Sequence, residues 1–217
     1  MGAMAEGGTR STEVHDRREQ ELEFSRVVAF SDGVFAIAIT LLVLGLEVPS
    51  HVSDLGQALR DRADDLYAYA LSFAVLGSLW LSHHRFYGSL ARFDSRLIAL
   101  NLVYLAFVAL VPFTSDLLGD YSGSTSAVVI YALVMAAISI AFGIQIRYAF
   151  RHGLVRSEVQ PYARRFAGRP SVVISGGFLI SIAVAFVSVE VATYMWVAIA
   201  FFGPRIADAL AGKRSPF

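Results

Sequence analysis

The stretch RVVAFSDGVFAIAITLLVLGLEVP, from Arg26 to Pro49, has the apolar length of a membrane span, yet it contains a carboxylate and a hydroxyl group. A helix that crosses a bilayer needs about 20 predominantly apolar residues. Asp32 lies near the start of this stretch and Thr40 near its middle. If the helix begins near Arg26, Asp32 lies about 9 Å along it, since each residue adds about 1.5 Å. An ionisable group at that depth needs a polar partner or water.

The composition of the whole chain favours an integral membrane protein. Of its 217 residues, 56% are hydrophobic and only 17% are charged, whereas soluble domains average about 25% charged residues. The formal net charge is zero, so no basic field indicates a nucleic-acid partner. Cysteine is absent, which excludes disulfides and argues against a zinc site.

Six apolar stretches predict an all-α protein with six transmembrane helices. The sixth stretch is short and needs flanking residues to about Ile206 to cross a bilayer. Prolines at positions 49, 170 and 204 are expected to mark helix ends, and a tight hairpin is expected around Glu190. The stretches cover residues 27–46, 66–82, 97–113, 126–146, 171–189 and 191–203.

The basic residues predict the orientation of these spans. Of the 18 lysines and arginines, all but Arg60 and Arg62 lie in alternate segments, which include both ends of the chain. Because basic residues accumulate on the cytoplasmic side, both termini of this multi-pass membrane protein are expected there. We expect a polar N-terminal segment 1–24, with residues 1–3 a tag remnant, a transmembrane domain 25–210 and a cytoplasmic tail 211–217.

Asp32 requires a structural explanation that its own helix does not fully supply. We expect a network of hydrogen bonds that satisfies each buried polar atom and holds this helix in place. Arg26 is the candidate partner within the same helix, and the others lie near the inner ends of the second and third spans. The candidate partners are Arg26, Trp80, His83, His84 and Asn101.

The first span also carries an apolar stripe. Ile37, Leu41 and Leu44 follow the i, i+4, i+7 spacing of one helical face, Phe30 and Gly33 extend that face inward, and Thr40 borders it. Such spacing is typical of ordinary helix packing, and by itself it does not indicate a pore.

The first span closely resembles the signature of the transmembrane-protein-175 family of potassium channels. The Arg-x-x-x-Phe-Ser-Asp motif of that family corresponds here to Arg26, Phe30, Ser31 and Asp32. Further similarity lies in WLSHHRF after the second span and in NLVYLAFVALVPFTSDL through the third. The resemblance extends over the six-helix layout and fits the bacterial type, which has one six-helix unit per chain.

The resemblance implies a homotetrameric, potassium-permeable channel whose pore is lined by the first helix of each chain. It places the constriction at Ile37 and further apolar layers at Leu41 and Leu44. It assigns cation selectivity to Thr40, near which K⁺ would bind transiently. The expected partners are sister subunits, permeant monovalent cations and membrane lipids; no cofactor and no nucleic acid are expected.

The resemblance also assigns a bracing role to polar residues behind the pore helix. Besides Phe30 and Ser31 of the motif, these are an arginine and an aspartate of the first helix, a tryptophan and a histidine of the second, and an asparagine of the third. The corresponding residues are Arg26, Asp32, Trp80, His83 and Asn101. His84 is the alternative to His83.

An enzyme, a secondary transporter and a lipid-interacting membrane protein are the alternatives to a channel. Adjacent histidines point about 100° apart on a helix, so they rarely share one metal, and no hydrolase or phosphate-binding motif is present; an enzyme is therefore not expected. A secondary transporter would need corresponding broken helices in two halves, and ISGGF, around Gly176 and Gly177, offers one without a partner. The basic segment Arg147–Arg169 leaves a lipid-interacting membrane protein as a further alternative.

Overall fold

The structure, a computed structural model, describes residues 3–46, 55–158 and 169–210, and these are almost entirely helical. The first helix ends in a 3₁₀ turn, Leu42–Gly45. The helices are α1 (Ala3–Leu41), α2 (Leu55–Asp61), α3 (Ala63–Gly88), α4 (Ser95–Val108), α5 (Val111–Asp120), α6 (Thr125–Arg151), α7 (Arg169–Ala185) and α8 (Val189–Leu210).

Most of each of the six apolar stretches is helical, and only residues 46, 109–110 and 186–188 of them lie outside the helices. Among the described residues, four segments are long and apolar enough to cross a membrane: Leu22–Gly45, Ala63–Gly88, Ser95–Asp120 and Thr125–Arg151. Two apolar helical segments, Ser171–Ala185 and Val189–Ile199, are shorter.

Two helix boundaries differ from the predictions. The sixth helix runs from Val189 to Leu210, so the prediction that Pro204 ends it is wrong. Proline fixes φ near the helical value, but inside a helix it removes one hydrogen bond and its ring crowds the carbonyl four residues back; α8 nevertheless continues through Pro204. The hairpin turn lies at residues 186–188, and Glu190 lies in the first turn of α8. Pro49 lies outside the described residues.

The third apolar segment is interrupted in its middle, which the sequence analysis did not predict. Pro112 has no N–H to donate to the carbonyl of Val108, so the helix cannot continue unchanged. The chain makes a tight turn in which the Leu110 N–H donates to the Phe107 carbonyl at 3.1 Å. The helix then restarts as α5.

The second half of the chain forms a close-packed unit of α6, α7 and α8. A Cβ atom added at Gly143 would lie 2.9 Å from the Cβ of Ser171, so α6 and α7 approach each other as glycine allows. Trp196 donates from Nε1 to the Ser181 hydroxyl at 2.8 Å and stacks on Tyr131 with 4.7 Å between ring centroids. α1 lies on the other side of the molecule, against α3 and α4.

The loops after α3 and α6 are joined at the end of the bundle expected to face the cytoplasm. Gly153, with φ of 62°, ends α6, and the Leu154 N–H turns back to the Ala149 carbonyl at 2.9 Å, as in a Schellman cap. The chain then forms an isolated antiparallel bridge between Val155 and Leu90. This bridge fixes the position of the residues on either side of it.

Asp94 caps the start of α4 next to this bridge. Its carboxylate accepts from the Leu97 N–H at 2.8 Å and from the Tyr148 hydroxyl at 2.6 Å. Desolvation, the largest single effect, would raise the pKa of Asp94. The two hydrogen bonds and the nearby charges of His152 and Arg96 together outweigh it, so the pKa lies below its ordinary value.

Candidate functional site

α1 has one face that packs against the rest of the chain. Ser31, Phe35, Ala38 and Leu42 are each 2% exposed or less. They follow the i, i+4, i+7, i+11 spacing of one helical face. Because the span is apolar on most sides, its periodicity alone did not identify this face in the sequence analysis.

The predicted pore-lining stripe is not part of that packed face. In the single chain, Phe30 is 55% exposed, Ile37 60%, Leu41 41% and Leu44 73%. At about 100° per residue, the stripe lies about a third of a turn from the buried face. It is therefore not explained by packing within the chain.

Thr40 is also exposed, on the same side of α1. Its hydroxyl donates to the carbonyl of Ile37 at 2.9 Å, one turn back along the helix. The proton is thus committed to the backbone, and the oxygen lone pairs remain for a partner outside the helix. Thr40 can accept a donor or contact a cation without breaking a hydrogen bond.

The helix changes from α to the narrower 3₁₀ geometry after Leu41, at the outer end of the stripe. Leu44 lies in the 3₁₀ turn, whose last residue is Gly45. A Cβ atom added at Gly45 would meet the Asp116 carboxylate of α5. The Asp116 side chain therefore lies against the end of the first span and would have to move if Gly45 carried a side chain.

Asp32 obtains its hydrogen bond from the second span. Trp80 donates from Nε1 to Asp32 Oδ1 at 2.9 Å, and the ring of Trp80 lies against that of His84, with 5.5 Å between centroids. Arg26 makes no ion pair with Asp32 within the described chain. Six positions rotate the helix by about 600°, so the two side chains lie about 120° apart around it.

His83, and not His84, joins the second polar group. His83 Nε2 lies 3.0 Å from Asn101 Oδ1, and Asn101 Nδ2 donates to the Ser31 hydroxyl at 2.8 Å. Ser31 in turn donates to the Val27 carbonyl at 2.9 Å. Because the amide oxygen must accept, His83 carries its proton on Nε2. This chain of bonds links α3 through α4 to the buried face of α1.

Aromatic rings enclose His83, which the sequence analysis did not anticipate. The imidazole stacks on Tyr87 with 4.2 Å between centroids and lies parallel to Tyr104 at 5.6 Å. Phe35 of α1 contacts the same imidazole at 5.7 Å. The sequence did contain a signal for this arrangement. Tyr87 follows His83 by four residues on α3, and Tyr104 follows Asn101 by three on α4, so each tyrosine lies on the same helix face as its polar neighbour.

The structure joins five of the seven predicted bracing residues in two sets behind α1, Asp32 with Trp80, and Ser31 with Asn101 and His83. Arg26 and Phe30 belong to neither set. Within the described residues, no group of three or more histidine, aspartate or glutamate side chains is arranged to hold a metal ion. The exposed stripe and the bonded residues lie on different sides of the same helix.

Comparison with known proteins identifies the family. The model of the family described as endosomal/lysosomal potassium channel TMEM175 matches residues 26–112, which include the motif and both bonded sets. Potassium channel B446_29190 of Streptomyces collinus is 39% identical over 173 residues, covering 76% of this chain and 84% of the relative. The chain belongs to the TMEM175 family. Potassium channel Cha6605_3372 of Chamaesiphon minutus is 34% identical over 183 residues, 78% of this chain and 88% of the relative.

Solved structures of TMEM175 proteins share the fold. The crystal structure of a lysosomal potassium-selective channel TMEM175 homolog from Chamaesiphon minutus matches with a TM-score of 0.70 and 31% identity, over 86% of this chain and 98% of that one. The potassium channel MtTMEM175, in a T38A variant, matches with a TM-score of 0.57 at 22% identity, over 85% of this chain and 93% of that one, and shows the fold alone. The TMEM175 family and these relatives are ion channels, so the chain is not an enzyme.

Proposed function

We propose that this chain is the subunit of a potassium channel that conducts passively through a pore lined by α1. The observation that carries the proposal is the stripe of Ile37, Leu41 and Leu44, which remains exposed in the single chain of a family whose relatives are named potassium channels. Four chains around a central axis would bring four copies of this stripe together.

The apolar stripe would form the constriction. Four Ile37 side chains around an axis make a narrow hydrophobic collar, and such collars gate by excluding water. Leu41 and Leu44 would add two further apolar layers towards the outer end. Since Leu44 lies in the 3₁₀ turn, it would lie more directly above Leu41 than in an α-helix.

Thr40 would supply the selectivity. Its hydroxyl proton is engaged by the Ile37 carbonyl, so the oxygen can replace part of the hydration shell of a transient K⁺ ion. Potassium loses water at a lower cost than sodium does, and a ring of neutral oxygens favours it. One hydroxyl layer offers few oxygens, so we expect modest selectivity.

The polar sets behind α1 would hold the pore helix in register. Asp32 is bonded to Trp80, and Ser31 is bonded to Asn101, which is itself bonded to His83; these bonds would fix the rotation of α1 about its axis. Arg26 and Phe30 face away from these bonds, and Phe30 would extend the stripe towards the inner end of the pore.

The proposed topology follows from the basic residues and the six apolar helices. Six crossings would place both termini in the cytoplasm of a bacterial cell, with residues 25–210 as the membrane domain and the segments 1–24 and 211–217 outside it. The acidic residues around Asp116 would then face the exterior, where they would raise the local concentration of cations. Lipids and sister chains would be the partners, and K⁺ the permeant ion.

A secondary transporter is less well supported. The predicted break at Gly176 and Gly177 is absent, since α7 continues through both residues. A Cβ atom at Gly177 would lie 2.9 Å from Ile199 Cδ1, so this glycine allows α7 and α8 to pack closely. Only the third span is interrupted in the described residues, whereas a transporter of that design has corresponding breaks in two halves.

The decisive experiment is the Ile37→Asn variant in planar bilayers with unequal K⁺ and Na⁺. We expect a larger single-channel current and a reversal potential closer to zero, because asparagine wets the collar. Ile140→Asn on α6 is the matched control, since Ile140 is also an exposed isoleucine, at 46%, outside the proposed pore. If the single-channel current and the reversal potential of Ile37→Asn were the same as those of the wild type, the assignment of α1 to the pore would be refuted.

A further inference from the structure

Three buried polar atoms between α3, α4 and α6 have no hydrogen-bond partner among the described residues. They are Nδ1 of His83, the hydroxyl oxygen of Tyr104 and Nε2 of Gln145, which we call the unpaired set. All three side chains are 0% exposed. Burying a polar atom without a partner costs free energy, and native proteins satisfy nearly all such atoms with protein groups or with ordered water.

Contacts among the surrounding rings place the unpaired set in one cluster. Tyr87 connects two of its members, because its ring stacks on His83 with 4.2 Å between centroids and its hydroxyl donates to Gln145 Oε1 at 3.1 Å. The ring of Tyr104 stacks on His83 at 5.6 Å and contacts Phe142, three residues before Gln145 on α6, at 5.4 Å. The set is enclosed by the chain itself, so its surroundings do not depend on the pore assignment.

The existing hydrogen bonds determine what each unpaired atom can still do. His83 carries its proton on Nε2, next to Asn101 Oδ1, so Nδ1 can only accept. Gln145 Oε1 already accepts from Tyr87, and Nε2 of the same amide can only donate. The hydroxyl of Tyr104 can do either. A partner that all three atoms share must therefore both donate and accept.

His83 and Tyr104 are poorly oriented for a direct hydrogen bond to each other. The lone pair of Nδ1 lies in the plane of the imidazole, and the hydroxyl oxygen lies in the plane of the phenol ring. The two rings are stacked with only 6° between their planes, so neither group points at the other. A small molecule at the edges of both rings can contact both atoms.

Water is the small molecule whose hydrogen bonds match the unpaired set. It can donate to His83 Nδ1, accept from Gln145 Nε2 and form a third bond with the Tyr104 hydroxyl, and about three bonds are usual for a buried water. A chloride ion cannot donate to Nδ1, and the N–H groups of Gln145 repel a potassium ion.

We propose that one ordered water molecule binds to the unpaired set and links α3, α4 and α6. The hydrogen bonds that begin at Ser31 on α1 and pass through Asn101 to His83 then continue through this water to Gln145 on α6. The second half of the chain is thereby connected to the helix that carries the stripe.

A crystal structure of the full-length protein, at a resolution that shows ordered water, tests the site without a substitution. We expect one peak of density within hydrogen-bonding distance of all three atoms. A peak that contacts fewer of them, no peak, or a direct bond between Tyr104 and His83 would overturn the proposal. An anomalous signal at the peak after soaking in bromide or rubidium would show an ion, which also overturns it.

Thermal unfolding of Tyr104→Phe gives an independent test, because the sign of the change in Tm depends on whether the hydroxyl is bonded. If water binds the hydroxyl, the variant loses a hydrogen bond, and we expect its Tm to fall. If the hydroxyl is unpaired, its removal relieves the cost of burying it, so an unchanged or higher Tm would overturn the proposal. Tyr131→Phe is the matched control and should have a lower Tm, since the buried Tyr131 hydroxyl lies 3.2 Å from that of Ser72.

A double-mutant cycle of Tyr104→Phe with Gln145→Met tests whether the two residues share one ligand. Each substitution removes a partner of the same water, so the two losses in Tm should be less than additive. Tyr131→Phe with Gln145→Met is the control cycle and should be additive, because these residues lie about 21 Å apart along α6. Additive losses at Tyr104 and Gln145 would contradict a shared water.

Discussion

Replacing Asn101 with leucine tests whether the polar chain behind α1 holds the pore helix in place. Leucine is close to asparagine in size, but it neither donates nor accepts a hydrogen bond. In the native protein Asn101 is 1% exposed and His83 is fully buried. The substitution therefore removes the acceptor of His83 and the donor to Ser31 at once.

The expected loss in the free energy of unfolding depends on which hydrogen bonds His83 and Ser31 retain. The His83 N–H is left buried without an acceptor, which costs about 1–3 kcal/mol, and the lost bond to Ser31 adds about 1 kcal/mol. Ser31 retains its bond to the Val27 carbonyl, so its hydroxyl adds no further penalty. The total of about 2–4 kcal/mol corresponds to a fall in Tm of roughly 4–16 °C for a chain of this size.

A double-mutant cycle with His83→Phe provides the assay. Thermal unfolding in detergent, followed by tryptophan fluorescence, would be compared for wild type, both single variants and the double variant. Because the double variant leaves no orphaned donor, it should lose about 1–2 kcal/mol less than the sum of the single variants. Ser72→Ala is the control, since its buried hydroxyl pairs with Tyr131 and not with this chain. Strict additivity for His83 and Asn101, or a stable Asn101→Leu protein, would refute the reasoning.

Three further predictions address selectivity, pH and packing. Thr40→Val should bring the reversal potential in unequal K⁺ and Na⁺ closer to zero, whereas Thr40→Ser should preserve it. Asp94→Asn should lower Tm at neutral pH, and the difference in Tm from wild type should disappear in acid. The pKa of Asp94 is lowered in the folded chain, so its carboxylate contributes fully to stability above its unfolded-state pKa, and this contribution is lost as the pH falls through its folded-state pKa. A difference in Tm that does not depend on pH would contradict this. Gly143→Ala should destabilise the protein by about 1–3 kcal/mol, since its Cβ would press on Ser171, whereas Gly176→Ala, with no atom within 4 Å, should be neutral or stabilising in thermal unfolding.

The sequence predicted the helical architecture well because apolar length is a local property. Each of the six apolar stretches is mostly helical, although the third is divided between α4 and α5 and the fifth ends in the turn at 186–188. The interruption at Pro112 was not predictable because the apolar run continues on both sides of it, and the prediction that Pro204 ends a helix is wrong. The same residue type interrupts one apolar segment and lies within the helix of another, so a proline in the sequence does not by itself fix a helix end.

The candidate site was predictable only in part. The predicted depth of each residue in the membrane was enough to identify Trp80, Asn101 and the two histidines as candidate partners of the first span. It could not separate His83 from His84, because adjacent positions share the same depth and differ only in direction around the helix. The stacked tyrosines around His83 were also missed, since aromatic residues in a span are equally consistent with a position at the membrane surface.

The length of α1 has a mechanical consequence. It is one uninterrupted helix from Ala3 to Leu41, so about 28 Å of it precedes Leu22, at about 1.5 Å per residue. A tilt of about 10° around Leu22 would therefore displace the tip at Ala3 by about 5 Å. The N-terminal part of α1 would therefore convert a small tilt of the membrane-spanning part of the helix into a larger displacement of its tip. A fluorophore at Ala3 would report such a tilt as a change in distance.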